Sequence, residues 1–156
     1  MNLRSIDIAV ISVIAVVITV SLITMSMTPS NKAEDNSFEA RALAPASEPV
    51  LSDPFGSPVS RVKVDEQVLF QSEITNKQDK RQPFVYIVQV RNSDGITISL
   101  SYAKSELFAN DKLKVAQSWI PAAPGQYDVE IFVWDSIDGQ TVLSPTRKIS
   151  VEVSEF

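Results

Sequence analysis

The chain has 156 residues, a formal net charge of −5 and 44% apolar side chains, with neither histidine nor cysteine. That composition excludes a disulfide framework, a thiol nucleophile, any Ser-His-Asp or Cys-His arrangement and the commonest zinc, copper and iron ligands. The acidic balance offers nothing to nucleic acid, and the length leaves room for one domain of ordinary size beside a membrane segment.

Residues 1–7 form a short tip carrying the α-amino group, Arg4 and Asp7. Residues 8–27, IAVISVIAVVITVSLITMSM, follow without a charge, a proline or a glycine. Roughly 20 helical residues cross the ~30 Å hydrocarbon core of a bilayer, so this run reads as a transmembrane helix. Positive charge beside a first span favours its retention in the cytoplasm, which predicts a signal-anchor with the remainder outside. A cleavable signal is the competing reading. Its apolar core would run to about 7–15 residues and end at small residues. Here the run is longer and closes on Ser26-Met27-Thr28-Pro29. Ala42-Leu43-Ala44 fits a cleavage pattern better but lies far downstream, with Pro45 next. Both readings send the C-terminal part outward. Ser5, Ala9, Ser12 and Thr19 are small enough for a helix–helix contact, but no G-x-x-x-G and no deep ionisable group marks a transport path.

Residues 28–53 change abruptly to TPSNKAEDNSFEARALAPASEPVLSD. Lys32 and Arg41 stand against Glu34, Asp35, Glu39, Glu48 and Asp53, and few large apolar residues are available to bury. This composition predicts a flexible linker with an end-to-end distance of about 30 Å.

From residue 54 to 156 the pattern is strand after strand. Val68, Phe70, Ser72 and Ile74 alternate with more polar neighbours, the period of a half-buried strand. Phe84 to Arg91 is apolar on both faces at first, which suits a central strand. Asn92-Ser93-Asp94-Gly95 is a hairpin signal, because Asp-Gly readily adopts positive φ. Beyond it Ile96, Ile98, Leu100 and Tyr102 alternate with Thr97, Ser99 and Ser101, the cleanest amphipathic strand of the chain. Ser105 to Lys112 reads as a polar loop and Leu113 to Ile120 as a strand ended by Pro121-Ala122-Ala123-Pro124-Gly125. Gln126 to Trp134 places Tyr127, Val129, Ile131 and Val133 inward, with Phe132 and Trp134 making the second face apolar. After the Asp135–Gln140 turn, Thr141 to Val153 closes the domain, and Pro145 marks a bulge or edge because it cannot donate to a ladder. With a weaker strand near Val59 to Val64, seven short strands and no convincing helix predict an all-β fold, an antiparallel β-sandwich of Greek-key type.

The stretch W-I-P-A-A-P-G-Q-Y-D-V-E-I, Trp119 to Ile131, resembles the region before the sixth strand of immunoglobulin-like, fibronectin type III-like and CARDB-type modules. The run from Phe84 through Trp134 to Pro145 is similar to β-sandwich modules in envelope proteins of ammonia-oxidising archaea. The resemblance implies fold, and such modules serve adhesion, spacing and assembly alike. It implies that Tyr127 is a tyrosine-corner residue, its hydroxyl bonding backbone upstream, and that Trp119, Gly125, Trp134 and Pro145 are structural.

No residue is assigned to catalysis, and no cofactor or metal is expected. Asp135 and Asp138, or Asp65 and Glu66, carry the hard oxygens Ca²⁺ takes, but without an EF-hand pattern they read as Asx turns. Lys77, Lys80 and Arg81 read as a solvated tip. Trp119, Trp134, Phe132, Tyr86 and Tyr102 are core candidates, any exposed one marking a partner surface. The expected role is a non-catalytic binding, spacing or accessory module of the cell envelope. Its partners are the bilayer, through residues 8–27, and an envelope or membrane-complex protein. A carbohydrate-binding or hydrolytic ectodomain is the alternative.

Overall fold

The computed structural model describes residues 42–155. The tip 1–7, the expected span 8–27 and residues 28–41 lie outside the described residues, among which no helix is long and apolar enough to cross a membrane. The described part is all-β. Its strands are β1 (Val50–Ser52), β2 (Val62–Lys63), β3 (Val68–Thr75), β4 (Gln82–Asn92), β5 (Thr97–Leu107), β6 (Lys112–Trp119), β7 (Gly125–Trp134) and β8 (Arg147–Ser154). They form a three-stranded sheet in the order β1-β3-β6 and a five-stranded sheet in the order β2-β8-β7-β4-β5. Neighbours run antiparallel except β2, which lies parallel to β8.

Period-2 alternation builds the core from both sheets. Val68, Phe70, Ser72 and Ile74 of β3 turn inward and meet Phe84, Tyr86, Val88 and Val90 of β4 with Tyr127, Val129, Ile131 and Val133 of β7. Central position explains why β4 is apolar on both faces: it is paired on one side with β7 and on the other with β5. Phe70 stacks on Trp119 at 6.1 Å between ring centroids, and Trp119 meets Tyr127 edge-on at 5.0 Å. Such ring pairs add to the ~2–3 kcal/mol that burying each large apolar side chain contributes. Tyr86 makes a polar bridge across the middle of this core, its hydroxyl lying 3.3 Å from the Phe70 carbonyl and 3.2 Å from Ser72 Oγ. Burial pushes that hydroxyl up to about 12, with the Ser72 contact pulling slightly the other way.

Three boundaries differ from the expectations. The stretch 28–53 was expected to be linker throughout, yet the sandwich reaches back to Ala42. Ala42, Ala44 and Ala46 are buried, Ser47 donates its N–H to the Glu73 carbonyl, and Thr75 donates to the Pro45 carbonyl, so this segment lies along β3 before β1 does. Arg147 fastens it: Nε donates to the Ala46 carbonyl at 2.8 Å and the guanidinium pairs with Glu48 at 3.2 Å. Ala44 and Ala46 belong to the buried cluster of the sandwich, so even this weakly apolar stretch adds to the core. With β1 the strands number eight among the described residues, not seven. The expected polar loop 105–112 is shorter than its bounds, since β5 runs on to Leu107 and β6 begins at Lys112, and only Phe108 to Asp111 turns.

The turn residues behave as their chemistry dictates. Tyr127 donates its hydroxyl to the Ala123 carbonyl at 2.8 Å, closing the Pro121–Pro124 turn, and Gly125 takes φ +146°, a conformation side chains disfavour. Pro145 stands ahead of β8 rather than inside a strand, so no ladder bond is lost there.

Candidate functional site: the outer face of the five-stranded sheet

An amphipathic strand ordinarily turns its apolar row to the core. β5 does the reverse. Ile98, Leu100 and Tyr102 are 47%, 65% and 55% exposed, while Ser99, Ser101 and Ala103 take the inward side.

The cause is one residue of register. At the hairpin Arg91 pairs with Thr97, but Val90 pairs with Ser99, a β-bulge in which β5 carries one extra residue. Without it Ile98, Leu100 and Tyr102 would stand opposite Val90, Val88 and Tyr86 and point inward. A slip of one residue sends every side chain beyond it to the other face. Beyond the bulge, Leu100 lies opposite Gln89, Tyr102 opposite Ile87 and Lys104 opposite Val85, all on the outer face of the sheet.

β7 completes that face from the other side of β4. Phe132 lies opposite Ile87 and Trp134 opposite Val85, the two rings 5.9 Å apart. Val85 and Ile87 are buried although they point outward, covered by these neighbours. The apolar patch therefore runs across three strands, from exposed Ile98, Leu100 and Tyr102 to half-buried Phe132 and Trp134. A charged strip bounds it: Glu130 pairs with Arg91 at 3.0 Å and with Lys148 at 2.8 Å, and Ser150 donates to Asp128 at 2.9 Å. Lys104 lies 5.6 Å over the Tyr102 ring. The arrangement can bind an apolar surface and orient it by its rim. It holds no nucleophile beside a base.

The other residues singled out by their type are scattered. Trp119 and Tyr86 belong to the core, whereas Tyr102 and Trp134 belong to the outer face. The Asp135 carboxylate accepts the N–H groups of Thr141 at 2.8 Å and Ser136 at 2.6 Å, and these bonds, Thr141 first, hold it below the ordinary carboxylate range. It is occupied in closing its own loop, where Gly139 packs so closely that a Cβ would lie 2.7 Å from Ser136 Oγ. Among the described residues no three acids cluster in a way that could hold a metal ion. A surface hollow of about 380 Å³ between Leu51, Pro58, Val62 and Val151 has Glu152 as its sole acid, so it cannot place the two carboxylates glycoside hydrolysis requires.

One residue gave no signal in the sequence. Asn76 is buried, its Nδ2 donating to the carbonyls of Lys80 and Phe108, each at 2.8 Å, while Oδ1 accepts the Gln78 N–H. It binds the β3–β4 and β5–β6 loops into one end of the sandwich, a role only long-range geometry discloses.

No protein-family model matches the chain, and no curated protein matches it. Solved structures do. The C-terminal domain of Wzt aligns with a TM-score of 0.62 at 12% identity, over 74% of this chain and 75% of that one. A Bacteroides uniformis β-glucuronidase aligns at 0.55 and 13% identity, over 67% of this chain but 13% of its own. A Paenibacillus sp. cycloisomaltooligosaccharide glucanotransferase aligns at 0.56 and 12% identity, over 70% and 14%. The chain thus corresponds to one module of these enzymes. At such identities the likeness is one of fold, an immunoglobulin-like β-sandwich.

Proposed function

We propose that this chain is a membrane-anchored, extracytoplasmic module of the cell envelope that binds a protein partner through the outer face of its five-stranded sheet, as an accessory or spacing subunit without catalysis. The observation that carries the reading is the outward apolar row of β5, continued by Tyr102, Phe132 and Trp134. Exposed branched aliphatics on a sheet face raise the free energy of the free protein and lower it again when a complementary surface removes them from water. The apolar run 8–27 supports the anchor and the outward placement. The resemblance to envelope modules agrees with that location.

A photo-reactive residue at Leu100 or at Lys114, exposed on the opposite sheet, tests the reading in native membranes. A discrete protein adduct from position 100 and none from 114 is expected. Monomer from both positions contradicts it.

The second reading, a carbohydrate-binding or hydrolytic ectodomain, draws on the ring faces of Tyr102, Phe132 and Trp134 and on the saccharide enzymes among the structural neighbours. Against it, Ile98 and Leu100 dominate the exposed row and offer sugar hydroxyls no hydrogen bond. Retention on a glycan array, lost in Tyr102→Ala, would favour it. Release of sugar would favour the hydrolytic form.

A further inference from the structure

We infer that the end of the sandwich at which the chain enters rests on a phospholipid surface, with Phe108 of the β5–β6 turn seated among the headgroups; this rests on the membrane anchor of the reading above. Ala42 to Ser47 enters beside the last residues of β3 and is fixed there, since Lys77 donates its N–H to the Leu43 carbonyl and Ala44 donates to the Leu143 carbonyl. The same end collects the β3–β4, β5–β6 and β7–β8 connections. Asn110 donates to the Gln78 carbonyl, and Asn76 holds the carbonyls of Lys80 and Phe108. The entry segment and two of these loops are thereby bonded into one tip.

Phe108 is the apolar point of that tip. Its carbonyl is held by Asn76, yet its ring is 58% exposed, with the Arg81 guanidinium 4.5 Å above it. Leu43 and Val142 are exposed at the same end. Arg81 is engaged by Glu106 at 3.2 Å and Lys112 by Glu73 at 3.3 Å, and exposed Lys77 and Lys80 stand against Asp79 and Asp111. With these charges balanced, apolar contact carries the seating, and phenylalanine is among the side chains that bury at the boundary of headgroups and acyl chains.

The opposite end exposes Ile96 and Ile120, so exposure by itself does not choose between the ends. The tether does. Fourteen residues, 28–41, separate Ala42 from the apolar run 8–27, and a chain of that length reaches about 20 Å as a coil and at most about 50 Å drawn straight. Eleven residues of β4 set the two ends about 35 Å apart, so seating the far end would consume most of the tether. The near end needs no such extension. The far end also carries the exposed carboxylates of Asp65, Glu66, Asp94 and Glu152, which lipid phosphates repel. One ring is a weak anchor in free solution. Attachment to the span raises its local concentration at the bilayer into the millimolar range, where a weak contact is occupied.

Because the chain has no cysteine, a single introduced thiol can carry a probe. In the full chain reconstituted into phosphatidylcholine vesicles, bimane on Ala109→Cys is expected to be quenched by lipid with a nitroxide headgroup. Bimane on Asp94→Cys, at the far hairpin, is expected to escape quenching. Phe108→Ser should remove most of the quenching at 109 and Phe108→Trp should keep it, and neither disturbs the core, because the ring lies outside it. Equal quenching at 109 and 94, or undiminished quenching at 109 in Phe108→Ser, would overturn the inference. In native membranes a photo-reactive residue at position 108 should yield lipid adducts, and a discrete protein adduct there would overturn it as well. Flotation separates this failure from failure of the anchor. A chain that does not float with the vesicles lacks the anchor, and the inference falls with it; one that floats but shows no difference between 109 and 94 keeps the anchor and loses the lipid seat.

Discussion

β3 and β5 carry the same alternation of apolar and polar side chains and end with opposite outcomes. In β3 the row Val68, Phe70, Ser72, Ile74 is sealed between the sheets. In β5 the row Ile98, Leu100, Tyr102 stands in solvent while serines take the inward positions. Periodicity establishes that a strand has two unlike faces; the register with its neighbour decides which of them meets the core. In β5 that decision is made by a single bulge, and the consequence is a surface rather than a second layer of core.

Substitutions separate the two rows, and the largest effect belongs to β3. Phe70→Ala removes a fully buried ring stacked on Trp119 and should destabilise the sandwich by about 3–5 kcal/mol, read as a fall in the thermal midpoint of the full chain in detergent. Tyr86 comes next, since it joins β4 to β3 by hydroxyl contacts. Its folded pKa is raised to about 12 from an ordinary 10, so its contribution is fully present below pH 10 and is lost as pH climbs toward 12. Up to about 2–3 kcal/mol is at stake, and an alkaline titration of unfolding should show a step in this window that Tyr86→Phe removes. Asp135, on the loop after β7, gives a smaller effect of opposite sign. Its folded pKa lies below the ordinary value, so its stabilisation is present above that value and fades as pH falls through the lowered one. Asp135→Asn should flatten part of the acid limb of a midpoint-against-pH curve. Leu100→Ser is expected to be the mildest, within about 0.5 kcal/mol, because an outward side chain more than half exposed takes little apolar contact with it. A loss as large as that of Phe70→Ala would erase the distinction between the rows.

Most of the fold was legible because buried rows in β3, β4 and β7 are built of large side chains, which make a strong periodic signal. Two features were not. Ala42, Ala44 and Ala46 also alternate, but alanine carries little apolar weight, and the intervening Pro45 and the surrounding charges give the segment the composition of a linker. Its burial depends on Arg147 and Leu143, about a hundred residues away. The exposed face was hidden for a different reason: nothing in Arg91, Thr97 or Ile98 announces a bulge, and without that register the row reads as core. Tyr102 and Trp134 were recognised as candidates by type, whereas Leu100 and Ile98, which form most of the exposed surface, were read as one row of an amphipathic strand and not as a candidate surface.

A single thiol at position 100 decides the central claim, that the apolar row of β5 is a surface covered by a protein in the envelope. With Leu100→Cys in the otherwise cysteine-free full chain, maleimide labelling is predicted to be fast in the detergent-solubilised, dilute protein and slow in native membranes. Slow labelling in both would place residue 100 in the core, and fast labelling in both would leave the face with nothing to bind.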